Sequence, residues 1–522
     1  MHNSFIDGMQ KVINDSNPNI AVTENGAIGY ETTGKCLLDL NFKLSSMRNW
    51  PEPEILSAFM KAYNEYPVLA IVWLFFARDV RGGCGERRTF RVIMAYLANE
   101  NTPLFTKLLC LIPEYGRWDD VIWLYGNIRN RLARTAIVKM IKDQLDEDTE
   151  SCRAKKSVSL LAKWAPSINT SSNETRRIAN MLRADLGLTA GEYRKRLASL
   201  RKYMNVVEQM MSAKKWDEIN YEAVPSKAGI TYRNAFSRHD EERYDKYLED
   251  VNNGTAKMNS GAIFPYEIVH AYMDDSDFWR GYIVREYDET LEQKWKSLPD
   301  TVKDDPGTLV VVDGSGSMDC RVGSTITAHD VARSIGIYFA ERLKGAFKNS
   351  FITFSAKPKL VVFDGAESLM SKISILAKEQ ECSTTNLKAT FDLILRTAIQ
   401  NNMSQQEMPA NILIISDMEF DGCSTLYDWS AYTDFDNRLF SKIKQDYELA
   451  GYKVPRLVFW NVNSRSGAIP VKENDLGVAL VSGFSPNIAD MVMSGDVDPW
   501  KNLVTKLRSE RYDDVWKVVM PS

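Results

Sequence analysis

The stretch Thr308-Leu309-Val310-Val311-Val312-Asp313-Gly314-Ser315-Gly316-Ser317-Met318 decides the fold of the C-terminal part of the chain. Its first five residues are apolar or β-branched, and such a run fills a strand in the middle of a parallel sheet. The strand ends at Asp313, where two glycines alternate with two serines and let the backbone turn tightly. The oxygens of Asp313, Ser315 and Ser317 can then face one point. Because Mg2+ takes oxygen ligands in near-octahedral geometry at roughly 2.0–2.1 Å, the loop predicts a divalent-metal site.

Strands and helices alternate throughout the chain that follows this stretch. The turn-forming residues Asp304-Asp305-Pro306-Gly307 mark a boundary immediately before it. The alternation predicts an α/β domain with a doubly wound, mostly parallel sheet over residues 305–522, ending in a helical tail, with ligands at the carboxyl ends of the strands. The predicted strands are 308–312, 351–354, 360–363, 412–417, 456–461 and 478–482, and the predicted helices are 326–344, 367–377, 387–399 and 437–449.

Residues 51–304 have a different pattern, typical of a separate all-α domain. Short amphipathic blocks are separated by proline, glycine, asparagine or charged residues, which predicts an α-helical repeat array of the HEAT-like kind. In such an array each helix pair buries its apolar face against the next pair. Residues 1–50 contain clusters of Asn, Gly, Ser and Thr with little periodicity, so we expect an irregular lead-in there.

The composition is that of a soluble protein with more than one domain. The chain has 522 residues, of which 44% are hydrophobic and 26% are charged. The apolar run 68–77 is about half as long as a membrane-spanning helix, so we expect no membrane association. The seven cysteines are scattered and the N-terminus lacks a signal-peptide pattern. These features predict a cytoplasmic protein in a reducing compartment.

The net charge of −4 conceals a basic segment. Residues 151–238 contain 17 Lys or Arg against 7 Asp or Glu, and residues 193–250 interleave basic with aromatic side chains. Such interleaving suits phosphate contacts and base stacking on single-stranded RNA, although a solvated helical surface accounts for the same pattern. The candidate RNA-binding residues are Arg194, Lys195, Arg196, Arg201, Lys202, Lys214, Lys215, Lys227 and Arg233.

Two further loops at strand ends complete the predicted metal site. Residues 383–386 precede a helix and residues 416–421 follow a buried strand, so both should lie at the same sheet edge as Asp313. The candidate ligands are Asp313, Ser315, Ser317, Thr385 and Asp417, with Thr384 as the alternative to Thr385. Two carboxylates about 4 Å apart repel by roughly 4 kcal/mol at an effective dielectric near 20. A bound cation such as Mg2+, Mn2+ or Ca2+ would offset this repulsion. A serine turn without metal is the alternative.

At these residues the chain resembles a von Willebrand factor A domain, whose metal-ion-dependent adhesion site (MIDAS) reads Asp-x-Ser-x-Ser, then Thr, then Asp. The resemblance covers about residues 305–495, although residues 383–385 read Ser-Thr-Thr where such domains often have Gly-Gly-Thr. The whole chain is similar to the TROVE-module proteins related to the Ro autoantigen. It is more similar to an uncharacterised family, carrying only a domain-of-unknown-function label, in which segments like 78–87, 112–118, 163–166, 236–244 and 416–421 recur.

The TROVE resemblance implies a ring of helical repeats closed by the A domain, with small structured or misfolded RNA bound at its basic surface as a ribonucleoprotein. The leading hypothesis is therefore a non-enzymatic RNA-binding scaffold whose Mg2+-binding A domain docks a partner or closes the ring. The alternative is a protein-binding adaptor that captures a partner carboxylate at the metal and has no RNA role. A hydrolase is not favoured, because the sequence contains neither a phosphate loop nor a nucleophile–base pair. No DNA sequence specificity is expected.

Overall fold

The computed structural model describes residues 21–22, 28–274, 283–302, 305, 307–323, 325–355, 357–378, 385–420, 437–467, 469, 478–493 and 498–520. In this part of the chain, none of the helices combines the length and the apolar character that a membrane span requires.

The helices of the described residues are numbered in chain order. They are α1 (Cys36–Phe42), α2 (Glu52–Glu65), α3 (Pro67–Arg78), α4 (Arg87–Glu100), α5 (Thr102–Leu108), α6 (Ile112–Tyr115), α7 (Trp118–Asn127), α8 (Arg131–Arg153), α9 (Leu161–Trp164), α10 (Asn173–Asp185), α11 (Ala190–Tyr203), α12 (Val207–Ser212), α13 (Ser226–His239), α14 (Glu241–Asn252), α15 (Pro265–Tyr272), α16 (Glu289–Lys296), α17 (Ala328–Arg342), α18 (Leu369–Lys378), α19 (Leu387–Gln400), α20 (Asn437–Leu449), α21 (Ala489–Met493), α22 (Pro499–Leu507) and α23 (Asp513–Val519).

The strands are numbered in the same way. They are β1 (Ala21–Val22), β2 (Ile28–Gly29), β3 (Met273–Asp274), β4 (Ile283–Val284), β5 (Thr308–Asp313), β6 (Ser350–Phe354), β7 (Leu360–Val362), β8 (Asn411–Ser416), β9 (Arg456–Asn461) and β10 (Val478–Ser482).

The described residues form two compact units. The sheet unit contains the described residues of 1–51, 58–70 and 263–509, and the helical unit contains those of 52–57, 71–262 and 510–522. The predicted division into a helical N-terminal part and a C-terminal part with a sheet is confirmed. Its boundaries differ from the predicted ones, because residues 263–304 group with the sheet and the end of the predicted tail groups with the helices.

Specific contacts hold residues 283–302 to the sheet unit. Glu292 is buried on α16 and accepts hydrogen bonds from the backbone N–H groups of Leu369 (2.8 Å) and Met370 (3.0 Å) at the start of α18. The indole of Trp295 donates to Glu341 on α17 at 2.6 Å. Helical periodicity shows that one face of a segment is apolar but not which neighbour covers that face, so the boundary could not be found from the pattern.

The predicted irregular lead-in is wrong for residues 36–48. Helix α1 occupies Cys36–Phe42, and a short 3-10 turn follows at Ser46–Arg48. Leu37 and Leu38 are completely buried, and Asn461 at the end of β9 donates to the Phe42 carbonyl at 2.8 Å. This segment is therefore part of the sheet unit's core, and its helix is too short for periodicity to identify.

The sheet has six strands in the order β10-β9-β8-β5-β6-β7. The first five in that order run parallel, and β7 pairs antiparallel with β6 at the edge. Strands β5, β8 and β9 are buried along their whole length, as their unbroken apolar runs predict. Helices α19 and α20 cover one face. On the other face α17 lies so close that a Cβ on Gly336 would be 2.6 Å from a methyl group of Val312.

In the helical unit a glycine-rich turn links α3 to α4. A Cβ on Gly83 would lie 2.0 Å from the carbonyl oxygen of Phe76, so only glycine fits there. Asp79 is completely buried and accepts from the backbone N–H of Arg81 at 3.0 Å and from the guanidinium of Arg511 at 2.9 and 3.1 Å. The Asp79 carboxylate thus holds the glycine-rich turn and also binds the C-terminal segment of the helical unit through Arg511.

A second buried carboxylate, Asp120, links three elements of the helical unit. It accepts from Arg78 Nε at 2.9 Å, from Arg91 Nε at 2.7 Å and from the backbone N–H of Arg117 at 3.0 Å. Arg78 and Asp120 are both inaccessible to solvent. Burial lowers the pKa of Arg78, and the charge of Asp120 opposes that change. Either charge alone in this interior would be costly.

We expect Asp120→Ala to lower the free energy of unfolding by about 3–5 kcal/mol, because it leaves the buried Arg78 charge without its partner. Asp146→Ala is the matched control: this side chain is 53% exposed and pairs with Arg196 at the surface, so its loss should be under about 1 kcal/mol. Urea unfolding of the full chain, followed by circular dichroism, measures both. Equal losses in the two variants would contradict the role assigned to Asp120.

Candidate metal centre

The carboxyl ends of two neighbouring parallel strands place two aspartates side by side. β5 pairs with β8, with Val312 opposite Ile415, so Asp313 and Asp417 both leave the sheet at the same edge. Asp313 is buried, and its two carboxylate oxygens accept from the backbone N–H of Ser315 at 2.9 Å and from the Ser416 hydroxyl at 2.5 Å. The turn after β5 therefore folds back on the carboxylate as the glycine–serine alternation predicts.

The serine hydroxyls of this turn lie together. Ser315 Oγ and Ser317 Oγ are 2.8 Å apart and share a hydrogen bond. The Ser317 side chain is also close enough to Asp417 to oppose the rise of the Asp417 pKa, so the two loops meet. The structure thus brings four of the predicted ligands into one cluster: Asp313, Ser315, Ser317 and Asp417.

Asp417 has one oxygen that the protein leaves without a hydrogen bond. The residue is completely buried, and its Oδ1 accepts from the backbone N–H of Glu419 at 3.2 Å. Its Oδ2 is also buried and has no hydrogen-bond partner. The intervening Met418 has a φ of +63°, in the left-handed region that a side chain rarely adopts. A bent backbone and an unsatisfied buried oxygen are features typical of functional sites.

Thr385, the fifth predicted ligand, is buried one residue before the cap of α19. The next residue, Asn386, caps that helix by accepting from the backbone N–H of Ala389 at 2.9 Å. Thr385 therefore lies in the loop that precedes the helix, where it was predicted. The alternative ligand Thr384 is outside the described residues.

The electrostatics of the pair favour a cation. Burial raises the pKa of Asp313, and hydrogen bonds from Ser416 and Ser315 oppose the change. Burial and the neighbouring charge of Asp313 raise the pKa of Asp417 to about 7. Holding both groups ionised is therefore unfavourable unless a positive charge lies between them.

Arg465 and His329, which the sequence patterns did not indicate, interact electrostatically with the two aspartates, and Asp319 contacts His329. Arg465 Nη2 is 3.7 Å from Asp417 Oδ2, and the Arg465 side chain is one-third exposed. His329 on α17 is buried, and its Nδ1 lies 2.9 Å from Asp319 Oδ1, which ties the segment that follows the glycine–serine turn to that helix. A sequence signal for Arg465 existed, because it follows β9, the parallel strand beside β8, and so belongs to the next loop at the same edge.

The donor set fits a hard divalent cation. Carboxylate and hydroxyl oxygens are the ligands that Mg2+, Mn2+ and Ca2+ prefer, and the buried Oδ2 of Asp417 has an acceptor site to offer. In the described part of the chain no group of three or more His, Cys, Asp or Glu side chains converges as a metal cage. Cation binding here would therefore depend on the serine and threonine hydroxyls as well as on the two aspartates.

In the structure, some of the candidate RNA-binding residues make contacts within the protein, and others are exposed at the surface. Arg201 donates to the carbonyls of Ala162 (2.8 Å) and Ala165 (2.7 Å) and to Ser167 Oγ (2.8 Å), so it holds the helical unit together. Arg196 pairs with Asp146, Lys215 with Glu218, and Arg233 donates to the Ile230 carbonyl at 2.8 Å. The side chains exposed at the surface include Arg194, Lys195, Lys202, Lys214 and Lys227.

An aromatic pair lies beside one group of these basic residues. The rings of Trp216 and His239 stack with centroids 4.5 Å apart and planes 19° from parallel. His239 is exposed at the end of α13, and Trp216 follows Lys214 and Lys215 directly. The segments that contain Trp216 and His239 both lie in the stretch where basic and aromatic residues interleave, but only the folded chain shows that the two rings are in contact.

The fold and the site define a class of protein: a helical unit together with a mostly parallel sheet unit that carries an acid-and-hydroxyl cluster at its strand ends. The chain belongs to the family of the uncharacterized protein L728 of Acanthamoeba polyphaga mimivirus. The two are 31% identical over 514 residues, an alignment that covers 92% of this chain and 85% of that protein.

Two family models match parts of the chain, and both describe domains of unknown function. Residues 183–309 match DUF2828 and residues 307–517 match DUF7788. Among solved structures, the Ro protein (RSR) of Deinococcus radiodurans aligns with a TM-score of 0.42 and 13% sequence identity, over 83% of this chain and 92% of that chain.

We expect Asp417→Asn to gain stability relative to the wild type as the pH rises, when a chelator removes divalent cations. The folded-state pKa of Asp417, about 7, exceeds its ordinary value of 3.8, so its contribution to stability is present at low pH and is lost as the pH rises through 7. Melting temperatures at pH 5 and pH 8 measure the change. Asp364→Asn, at an exposed site, should differ from the wild type equally at both pH values. A pH-independent difference for Asp417→Asn would contradict the assignment.

Proposed function

We propose that the protein is a non-enzymatic scaffold whose sheet unit binds a divalent cation and through it captures an acidic group of a partner protein. The observation that carries this proposal is the buried pair Asp313 and Asp417, with the Asp417 Oδ2 left without a hydrogen bond. Asp313, Ser315, Ser317, Thr385 and Asp417 would hold the cation directly or through water. A bound cation supplies an electrophilic centre, with only two carboxylates to weaken it, that can accept an anionic oxygen.

The architecture of the sheet unit supports this function. Five parallel strands, an antiparallel edge strand and helices on both faces agree with a von Willebrand factor A domain, and we propose that the unit is one. The cluster lies at the carboxyl ends of adjacent strands, where such sheets bind ligands. The hydroxyls of Ser315 and Ser317 hydrogen-bond each other, an arrangement that activates neither as a nucleophile. The site therefore favours binding over catalysis.

We expect Mg2+ at ten times its Kd to stabilise the folded chain by about 1.4 kcal/mol, measured as a shift of the melting temperature. Asp313→Ala should abolish that shift, because it removes one of two carboxylates. Asp364→Ala removes an exposed carboxylate elsewhere in the same unit and should retain it. The metal assignment fails if Asp313→Ala shows the same Mg2+-dependent shift as the wild type.

A second candidate function, RNA binding by the helical unit, is favoured by the exposed side chains of α11. Lys195 and Lys202 are seven residues apart and so lie on one helix face, away from the buried residues Tyr193, Leu197 and Leu200. Exposed lysines on one face can neutralise phosphates, and the stacked Trp216 and His239 offer an aromatic surface for a base.

We expect the full chain to retain single-stranded RNA on filters at low salt and to release it as the salt concentration rises. The double variant Lys195→Glu and Lys202→Glu should weaken binding and reduce the salt slope by about 0.7 for each phosphate that the lysines neutralise in the wild type. Lys107→Glu, at an exposed position of α5, is the matched control and should bind as the wild type does. No retention of RNA at low salt would leave the cation-dependent adaptor without an RNA role.

A further inference from the structure

Strand β7 lies at an edge of the sheet, and one side of its backbone has no partner strand. On the other side it pairs with β6, where the N–H of Thr353 donates to the carbonyl of Lys359 at 2.9 Å. In an antiparallel ladder of this phase, the N–H and C=O groups of Leu360 and Val362 point away from β6. In the part of the chain that the structure describes, nothing hydrogen-bonds those outward groups.

The side chains of the same two residues are apolar and exposed. Leu360 is 60% exposed and Val362 is 39% exposed, whereas Val361 between them is buried. Because side chains alternate along a strand, Leu360 and Val362 lie on one face of the sheet. This edge therefore offers backbone hydrogen-bonding groups and apolar side chains together. Natural proteins usually cover or interrupt such an edge, since a bare edge can pair with another chain.

The opposite edge of the sheet is covered in this way. All five residues of β10 are buried. Helices α1, α21 and α22 contact this strand, and the backbone N–H of Ser45 donates to the Ser482 hydroxyl at 3.2 Å. Of the two edges of the sheet, it is thus β7 that is open to a partner.

We propose that β7 pairs with the β7 strand of a second copy of this chain, antiparallel to it and related by a two-fold axis at Val361. Leu360 of each copy then lies opposite Val362 of the other, and the outward N–H groups of each strand donate to the outward carbonyls of the other. The apolar side chains meet as cross-strand neighbours on one face of the joined sheet. This inference does not depend on the cation site.

The sequence around β7 favours a second copy over a strand of another protein. Both outward-facing residues are apolar, so the strand is complementary to itself. Lys357 precedes the strand and Asp364 follows it, and both are exposed. An antiparallel copy brings the basic end of one strand near the acidic end of the other, whereas a parallel copy would bring like charges together.

The length of the bare edge favours a closed dimer. Pro358, which has no N–H, lies before the strand, and a turn with Gly365 at a φ of +72° follows it. Pairing is therefore limited to a short segment. Because a two-fold contact uses the bare edge of both copies and the β10 edges are covered, the assembly stops at two chains and does not grow into a fibre.

Sedimentation velocity of the full chain at increasing concentration tests this inference. The buffer is reducing, so that the exposed Cys110 cannot link copies through a disulfide. The wild type should dimerise as the concentration rises, with micromolar or weaker affinity because the paired edge is short. Leu360→Pro removes an outward N–H but no hydrogen bond to β6, and should weaken dimerisation about tenfold or more. Leu360→Lys should also weaken it, because it places a charge at the bare edge.

Leu449→Lys is the matched control. Leu449 is 80% exposed at the end of α20 in the same unit, so this variant should dimerise as the wild type does. The inference is overturned if the wild type stays monomeric at every concentration, if Leu360→Pro dimerises as tightly as the wild type, or if Leu449→Lys loses as much affinity as Leu360→Lys. Melting curves establish that each variant is folded. If Leu360→Pro is unfolded, full dimerisation by Leu360→Lys overturns the inference instead.

Discussion

The pairing of β5 with β8 is the constraint on which the site depends. Because these strands are parallel neighbours at the centre of the sheet, the residues that end them leave the same edge together. Two carboxylates are thereby buried side by side, and each raises the cost of ionising the other. The short glycine–serine turn and the left-handed Met418 both follow from the need to direct oxygens back to this edge. Two carboxylates buried next to each other at the centre of the sheet oppose folding when both are ionised, so core packing alone does not account for them.

Comparison with the other buried acids of the molecule shows what is unusual about Asp417. Asp79 accepts from a backbone N–H and an arginine, and Glu292 and Glu419 each accept from two backbone N–H groups. These carboxylates are satisfied, and each fixes a turn or a helix start. Asp417 is equally buried but keeps one oxygen without a hydrogen bond. Glu208 on α12 also has a buried carboxylate oxygen without a hydrogen bond, so it is the neighbouring Asp313 and the serine hydroxyls beside it that make the Asp417 oxygen a candidate for binding something from outside the chain.

In the helical unit, the number of basic residues in the sequence overstates the basic surface that the folded chain exposes. The basic excess of residues 151–238 suggested one interaction surface, but Arg201 uses its hydrogen-bond donors to hold helices together, and Arg196 is paired with Asp146 at the surface. Guanidinium groups are well suited to bridging carbonyls and carboxylates inside a protein, whereas lysines more often remain solvated. The surface available for RNA is thus smaller than the sequence implied, and it is richer in lysine. The aromatic pair Trp216 and His239 adds a feature that only the folded chain reveals.

By itself the sequence determined the strands of the sheet, the loops that end them and four residues that cluster at the sheet edge, since an unbroken apolar run followed by Asp-Gly-Ser-Gly-Ser is a local signal. The strand limits agreed to within one residue, because short apolar runs rich in β-branched or aromatic residues and bounded by turn-forming residues mark where a strand begins and ends. Tertiary structure alone decided which helices belong to which unit, that residues 36–42 form a helix, that Arg201 is internal and that Arg465 stands beside Asp417. These features depend on contacts between residues far apart in the chain. Local patterns carry no information about such partners, because a helix face or an arginine looks the same in sequence whatever it packs against.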